Sequence, residues 1–442
     1  MPAGHPARAR YADGLGVSEV NPHYLDHVVK LSETSDIEAS EDIVSGTGMK
    51  LLAKGTKIDA RARERLLEFR LNKPLENMMR VVGGTDPASF HPVAERLLER
   101  HPLLRGLCAN ARAARPLEAL KSLELSSNLQ SLLSVYAGQS PAKLEHAVGV
   151  ALVTAALGGE LSSQPADAAA LVVAGLAHDV GELYIDPAFV ARGAELSPQQ
   201  WKHVATHPIV GSHVLGTLPG AGPRIANVVM AHHERLDGFG YPQGVLGSSQ
   251  SLAGQILAVA EMLMGLAESG PGELERAVVA MKLVPGEFPR RFIDRVVQAA
   301  RSGGVEADDP AAPAMAELRE RVGALSGAIR RVRELRGAVA SDLPRLGAPV
   351  RSLLVHAFER WERIAIAFSS AGLDLGGERL PDMDAAQLVE VGIVVRELRW
   401  RITELERQLL IRGELLAPVD ARRVQELIDE ARKPPEAVLA AA

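Results

Sequence analysis

Between residues 125 and 305, long segments rich in Ala, Leu and Val are interrupted at intervals by His, Asp and Glu. A helix that is apolar all round is typical of a protein core or a membrane span. The longest uncharged run, AVGVALVTAALGG, is too short to cross a bilayer. Imidazole and carboxylate groups among such helices are costly to bury unless they find partners. This zone therefore predicts a buried helical bundle whose polar side chains interact with one another.

The composition of the whole chain favours helices and excludes several kinds of partner. Only 4% of the 442 residues are aromatic, and Ala, Leu, Val, Glu and Arg dominate, so we expect a mainly α protein. A net charge of -6 gives no support for DNA binding or for attraction to anionic lipid, and we expect no membrane insertion. The single cysteine, Cys108, excludes an intramolecular disulfide, suits a cytoplasmic protein and is expected to be buried and inert.

Changes in pattern along the chain predict four zones. Residues 1–85 read as a small α+β module, because glycines punctuate short apolar runs before a helical segment. Residues 86–124 read as a helical connector, and 125–305 as the domain that carries the chemistry. The stretch GGVEADDPAAP resembles a linker, and 310–442 is predicted to be a C-terminal helical bundle or coiled-coil region.

A heptad pattern marks the C-terminal zone. Its apolar positions alternate spacings of three and four over three repeats: Leu388, Val391, Val395, Leu398, Ile402, Leu405 and Leu409. A weaker seam runs through Leu318, Val322, Leu325, Ile329 and Val332. These helices either pack on each other within the chain or present a seam to a protein partner, including a second copy in a homodimer.

The polar residues of the 125–305 zone have the chemistry of metal ligands. They are His146 in LEHAVG, His178 and Asp179 in GLAHDVGEL, His207 in THPIVG, His232 and His233 in HHERLDGFGYP, and Glu261 in AVAEML. A lone histidine on an apolar face is usually a hydrogen-bonded core residue, but so many on separate predicted helices point to a shared centre. Imidazole and carboxylate donors suit divalent iron, manganese, nickel or zinc.

An aspartate next to a histidine makes a pair of ions possible, because its two oxygens can bridge two metals. Two metals a few ångströms apart can activate water and stabilise both the attacking and the leaving oxygen of a phosphoryl transfer. The residues alone therefore favour metal-dependent hydrolysis of a phosphoester.

In their order and spacing these motifs resemble the HD-GYP family of bacterial signalling phosphodiesterases, over about residues 125–290. The resemblance implies an HD-type helical bundle that binds two, sometimes three, iron or manganese ions and hydrolyses cyclic di-GMP. It implies that the seven residues above are metal ligands, with Asp179 bridging and catalytic. It also implies a substrate loop formed by Asp237, Gly238, Gly240, Tyr241 and Pro242.

The neighbouring residues have a different expected role. Glu234, Arg235 and Asp237 are expected to support this loop by hydrogen bonds, although a direct role remained an alternative. Physically, Gly238 and Gly240 permit positive φ and close backbone approach, and Pro242 stiffens the exit.

The chain departs from the family where phosphate is bound. Glu182 stands where the family has a lysine, and Gly270 and Glu273 stand where it has two arginines. Met264 replaces a second aspartate and Gly272 a tyrosine, while Ala142 lacks the glutamate of three-metal members, so we expect two metals. A unit charge at 4 Å from a phosphate contributes about 1 to 4 kcal/mol, so these changes weaken the expected phosphate contacts.

Three roles for Glu182 remain open from the sequence: a catalytic residue that binds metal itself, a hydrogen bond to a ligand histidine, or a lost phosphate contact. Three functions remain open as well. The first is a working phosphodiesterase on cyclic di-GMP or another nucleotide phosphoester. The second is a catalytically impaired domain that acts as a signalling adaptor or nucleotide sensor, and the third is a di-iron redox or oxygen-dependent role.

Overall fold

The protein is described from a computed structural model, which covers residues 19–111, 115–159, 165–191, 193–270, 272–302, 313–374, 380 and 383–433. Most of the predicted polar leader and of the linker GGVEADDPAAP lies outside the described residues. Helices dominate the described part, which confirms the mainly α prediction. No helix in these ranges combines the length and apolar character that a membrane crossing requires.

Contacts between residues group the chain into two compact units. The first is Met1–Glu268 with Arg301–Gly303, and the second is Ser269–Ala300 with Gly304–Ala442. The sequence placed residues 269–300 with the central domain, whereas in the structure the helix Glu273–Leu283 packs against the long helix Ala385–Gly413. The four-zone division stays a prediction.

The N-terminal part of the first unit is the small α+β module that the glycine pattern indicates. It contains α1 (Pro22–Leu31), β1 (Ile37–Ala39), β2 (Ile43–Val44), β3 (Lys50–Leu52), α2 (Ala60–Glu68), a 3-10 turn (Leu75–Asn77) and β4 (Met79–Val81). β1 pairs antiparallel with β4, Glu38 facing Arg80, and β2 pairs antiparallel with β3. Asn21 caps α1 through its side-chain oxygen and donates its amide N–H to Tyr184 O at 3.2 Å, which attaches the module to the bundle.

The remainder of the first unit is a helical bundle. In chain order its helices are α3 (Pro87–Arg100), α4 (Pro102–Asn110), α5 (Pro116–Lys121), α6 (Ser127–Ala137), α7 (Pro141–Gly158), α8 (Pro165–Ala177), a 3-10 turn (Val180–Tyr184), α9 (Pro198–Val204), α10 (His207–Thr217), α11 (Pro223–Val229), a 3-10 turn (Gly247–Ser249) and α12 (Leu252–Glu268). The helices in residues 86–124, which the sequence analysis predicts as a connector, belong to this bundle because α3, α4 and α5 pack on α7.

Helix α7 lies at the centre of the bundle. Every residue from Ala147 to Gly158 is buried, and the helix contacts α8, α12 and the helices before it. Small residues permit this packing: a β-carbon on Gly149 would lie 2.3 Å from Met264 Sδ, and one on Gly175 would lie 2.8 Å from Ala151 Cα. Met264 is therefore a core contact between α7 and α12.

The second unit consists of helices that bury the predicted seams within the chain. It contains α13 (Glu273–Leu283), most of α14 (Arg290–Ser302), α15 (Met315–Val339), a 3-10 turn (Leu343–Arg345), α16 (Ala348–Ser370), α17 (Ala385–Gly413) and α18 (Pro418–Arg432). The heptad positions from Val391 to Leu409 are buried and Leu388 is partly buried, as α17 packs on α13, α15, α16 and α18. The weaker seam on α15 is buried too. This favours the intramolecular bundle, and a homodimer through these helices stays a prediction.

Candidate metal centre

The predicted ligands come from five separate elements of the first unit. His178 and Asp179 follow the end of α8, and His207 is the first residue of α10. His232 and His233 lie in the turn after α11. The remaining two, His146 and Glu261, project from within α7 and α12.

Three of the histidines are oriented by the same local device. Nδ1 of His178 lies 2.7 Å from Gly175 O, Nδ1 of His207 lies 2.8 Å from Val204 O, and Nδ1 of His232 lies 2.6 Å from Val229 O. A carbonyl oxygen only accepts, so each Nδ1 carries the proton and donates it. Nε2 of each ring is therefore the atom that faces the cluster, and in the neutral ring its lone pair is available for metal ligation.

His146 is oriented differently, by a carboxylate. Its Nδ1 donates to Glu268 Oε1 at 3.0 Å, from one helical turn beyond Met264 on α12. Its Nε2 faces the cluster, 3.0 Å from Glu261 Oε2 and 3.2 Å from His178 Nε2. Sequence reasoning missed Glu268, although its position seven residues after Glu261 places it two helical turns along the same helix.

Within the described residues, the potential ligand atoms form two groups that share one side chain. One group is Asp179, His207, His232 and His233, and the other is His146, His178 and Asp179. Asp179 Oδ1 lies 3.3 Å from His207 Nε2 and 3.5 Å from His232 Nε2. Its other oxygen, Oδ2, lies 3.3 Å from His178 Nε2 and 3.9 Å from His146 Nε2. The aspartate thus presents one oxygen to each group.

Burial and the neighbouring charges strongly shift the pKa values of the side chains in this cluster. Burial raises the pKa of Asp179, but the charge of His178 and its hydrogen bond outweigh this and hold that pKa well below its usual range. Burial lowers the pKa of His178, yet the neighbouring Asp179 and Glu261 raise it to about 10. For His233, burial followed by repulsion from His232 outweighs the charges of Glu261 and Asp179 and holds its pKa well below the usual value.

Two features show that a cation fits these residues. His207 Nε2 and His232 Nε2 lie only 2.9 Å apart, and in neutral rings with Nδ1 protonated both atoms carry lone pairs. Among the described residues, the buried Asp179 Oδ1 finds no hydrogen-bond donor in good geometry, although His207 Nε2 and His232 Nε2 lie 3.3 and 3.5 Å away. Converging lone pairs and an unpaired carboxylate oxygen repel one another unless a positive charge lies between them. Nitrogen and oxygen donors without thiolate suit a divalent transition metal.

Comparison with known proteins agrees with this geometry. A family model described as HD domain matches residues 115–285. The 3'3'-cGAMP-specific phosphodiesterase 3 of Vibrio cholerae is 27% identical over 253 residues, which cover 53% of this chain and 55% of that protein. The cyclic di-GMP phosphodiesterase response regulator RpfG of Xanthomonas campestris is 28% identical over 128 residues, 28% of this chain and 34% of that protein.

This chain carries an HD domain of the HD-GYP family. The predicted family is thereby confirmed. The 3'3'-cGAMP-specific phosphodiesterase 1 of Vibrio cholerae is also similar, at 27% identity over 148 residues, 34% of each protein. The chain spans about half the length, or less, of these curated relatives.

The GYP loop of the HD-GYP domain is held by its own carboxylates. Glu234 accepts backbone hydrogen bonds from Gln243 at 2.7 Å, Gly244 at 3.1 Å and Val245 at 3.2 Å. Asp237 Oδ1 accepts from Phe239 N at 3.1 Å. These contacts are the supporting bonds that the sequence analysis expected, and Arg235 adds a bond from Nη1 to Glu234 O at 3.0 Å.

The glycines and the tyrosine of this loop have separate effects. Gly238 has φ +76°, whereas a β-carbon on Gly240 would lie 2.3 Å from Glu234 Cα. This close approach brings Tyr241 onto His233, with ring centroids 4.5 Å apart and an angle of 21° between the planes. Trp201 of α9 packs edge-on against Tyr241, with ring centroids 5.6 Å apart. The peptide bond before Pro242 is cis.

Glu182 forms an ion pair that the sequence analysis did not consider. Its Oε2 accepts a hydrogen bond from the Lys143 ammonium, and Glu182 belongs to neither ligand group among the described residues. The bond therefore goes to a lysine of α7 and not to a ligand histidine. The available sequence signal was the position of Lys143, three residues before His146 and so on the same side of a helix.

Proposed function

We propose that the HD-GYP domain is a metal-dependent phosphodiesterase that opens a phosphodiester bond of a cyclic dinucleotide. The observation that carries the proposal is the placement of Asp179, which presents one oxygen to each of two histidine groups. A carboxylate shared in this way is what a pair of divalent ions needs as a bridge. The predicted ligands His146, His178, His207, His232, His233 and Glu261 complete the proposed site.

The protein's own contribution is to preorganise these donors. The carbonyl contacts at Nδ1 fix the rings of His178, His207 and His232, so little reorganisation accompanies ligand binding. Two divalent ions held there would supply positive charge for the phosphoryl group and would lower the pKa of a bound water. On the His233 side, the partly exposed Trp201 provides aromatic surface beside the buried Tyr241 ring. Such surface suits stacking against a nucleobase.

The substrate class is supported by the names of the relatives. Three are named for 3'3'-cGAMP and others for cyclic di-GMP, so both cyclic dinucleotides are candidates for this chain. We propose cyclic di-GMP as the first substrate to test. The donor set of nitrogen and oxygen atoms supports iron or manganese as the metal.

The experiment combines metal content with turnover on one sample. Protein purified without oxygen is analysed for metals, then assayed on cyclic di-GMP and on 3'3'-cGAMP with iron and with manganese. The proposal expects about two metals per chain, and turnover that Asp179→Ala abolishes. Metal at that ratio without hydrolysis of either dinucleotide would overturn it.

A second candidate function rests on Glu182. An acidic side chain where the family has a lysine, together with Gly270 and Glu273 in place of two arginines, reduces the positive charge available to phosphate. These residues favour a domain that binds metal and nucleotide without turnover, as a signalling adaptor or nucleotide sensor. Tight cyclic di-GMP binding without product is the outcome that this alternative expects.

A further inference from the structure

Lys143 is a charged residue next to the metal centre that no predicted role accounts for. It lies near the start of α7, three residues before His146. Its Nζ is paired with Glu182 and lies 5.5 Å from the centre of the Tyr136 ring. The Tyr136 hydroxyl in turn lies 3.5 Å from Asp179 Oδ2. Lys143 is therefore a neighbour of the bridging aspartate without being one of the proposed ligands.

The surroundings of Lys143 keep its ammonium group charged. Burial lowers the pKa of Lys143, but the charges of Glu182, Asp179 and Glu261 outweigh this and raise it. The carboxyl groups that act on it thus include two proposed metal ligands. Lys143 therefore keeps a positive charge beside the proposed ligands while it is paired with Glu182.

Lys143 also has donors to offer and a route to solvent. An ammonium carries three N–H donors, and the described residues give Lys143 one hydrogen-bond acceptor, Glu182. Its side chain is 24% exposed, against 12% for Glu182, so an approaching ligand meets the lysine more readily. Glu182 accepts one of these donors, and within the described residues no other hydrogen-bond acceptor is recorded for the ammonium.

We propose that Lys143 contacts a phosphate oxygen of the substrate and that Glu182 is the positioning residue that holds it there. The proposal rests on the proposed phosphodiesterase function. The phosphate-binding cation is then Lys143 on α7. Its ion-pair partner, Glu182, stands at the position where the family has its lysine. A competing explanation is that Lys143 only neutralises the buried charge of Glu182.

The test uses inorganic phosphate as a probe, so that it does not depend on turnover. Phosphate affinity is measured by calorimetry on manganese-loaded full-length protein, with metal content determined on the same samples. We expect Lys143→Met to weaken phosphate binding about 10- to 100-fold, the range of a charge-assisted hydrogen bond, with unchanged metal content. Lys143→Arg, which keeps the charge, should recover most of this loss.

Two controls test whether a loss of phosphate binding is specific to Lys143. Lys54→Met removes an exposed lysine of the N-terminal module and should leave phosphate affinity unchanged. Lysine acetylation of the wild-type protein, followed by mass spectrometry, covers the case in which Lys143→Met does not fold. Phosphate should protect Lys143 from acetylation and leave Lys54 as reactive as before.

The outcomes distinguish this inference from the proposed function. Wild-type phosphate affinity in Lys143→Met, or measurable acetylation of Lys143 that phosphate does not reduce, would show that the lysine is only a counter-ion. Failure of the wild type to hydrolyse any dinucleotide concerns the proposed function alone. If phosphate binding still depends on Lys143 in that case, the site binds phosphate without turning over a dinucleotide.

Discussion

Individual side chains decide how the donors of this site are aimed. A carbonyl fixes each of three histidines, whereas a carboxylate, Glu268, fixes His146. A charged partner makes the ring a stronger base than a carbonyl does, so these two devices are not equivalent. A substitution at Glu268 should therefore change how strongly His146 binds metal without removing a ligand.

Glu268→Gln should weaken metal binding about 10-fold, because glutamine still accepts from His146 Nδ1 but no longer carries the charge. Manganese titration against a chelating indicator measures the change. Glu145→Gln is the matched control. Glu145 is a partly exposed glutamate like Glu268, but it pairs with Arg100 at 2.9 Å. Equal manganese affinity of Glu268→Gln and wild type would exclude a positioning role for Glu268.

Glu76 gives the fold a pH dependence of its own. Burial raises its pKa, and the hydrogen bond from the Tyr184 hydroxyl only partly offsets this. A raised carboxyl pKa in the folded state means that the folded protein binds more protons than the unfolded chain. Stability from this group is therefore full below the unfolded value of 4.5 and is lost as pH rises through the folded pKa.

Glu76→Gln removes this titration and keeps an acceptor for Tyr184. The difference in melting temperature, Glu76→Gln minus wild type, should increase from pH 4 to pH 7. Only the wild type loses the contribution of Glu76 over that interval. Thermal unfolding at several pH values measures the difference. A difference that stays constant with pH would show that Glu76 titrates alike in both states.

At the site, one secondary-structure element packs closely against the backbone of another. Gly181, in the turn Val180–Tyr184, packs against the first turn of α10, where a β-carbon would lie 2.0 Å from His207 O. Since His207 begins that helix, the same contact sets both the packing of two elements and the position of a proposed ligand.

Gly181→Ala should destabilise the fold by about 1 to 3 kcal/mol, because the new methyl group forces backbone atoms apart. It should also lower metal content by displacing His207. Gly265→Ala is the matched control: it lies inside α12 with nothing within 4 Å of its β-carbon, so alanine should be neutral or stabilising. Urea denaturation and elemental analysis measure the two effects, and equal behaviour of both variants would contradict this account.

At the scale of the whole molecule, the chain comprises two units that are stabilised by different means. The first surrounds its polar cluster with apolar helices. The second has a buried ionic network, in which Glu287 receives Arg401 Nε at 2.7 Å and Arg360 Nη2 at 3.2 Å. Arg401 also donates to Glu397 at 3.1 Å and to Ala280 O at 2.6 Å, which ties α13 and α17 together.

Glu287→Ala should destabilise the second unit by about 3 to 5 kcal/mol, because it removes the carboxylate between two buried guanidinium groups. Tryptophan fluorescence during urea unfolding reports on this, since Trp361 and Trp400 both belong to that unit. Glu334→Ala, which breaks an exposed pair with Arg330, should change stability by no more than about 0.5 kcal/mol. Similar losses in both variants would show that burial of the network adds nothing.

The sequence by itself determined the helical class, the candidate ligands and the family, because helical periodicity and motif spacing are local properties of the chain. It anticipated the loop-supporting bonds of Glu234 and the close approach at Gly240 for the same reason. Only the tertiary structure decided which charges pair. Lys143 meets Glu182 across 39 positions, His146 meets Glu268 across 122, and Arg401 meets Glu287 across 114. Such pairs depend on how helices pack, and no spacing rule along the chain encodes them.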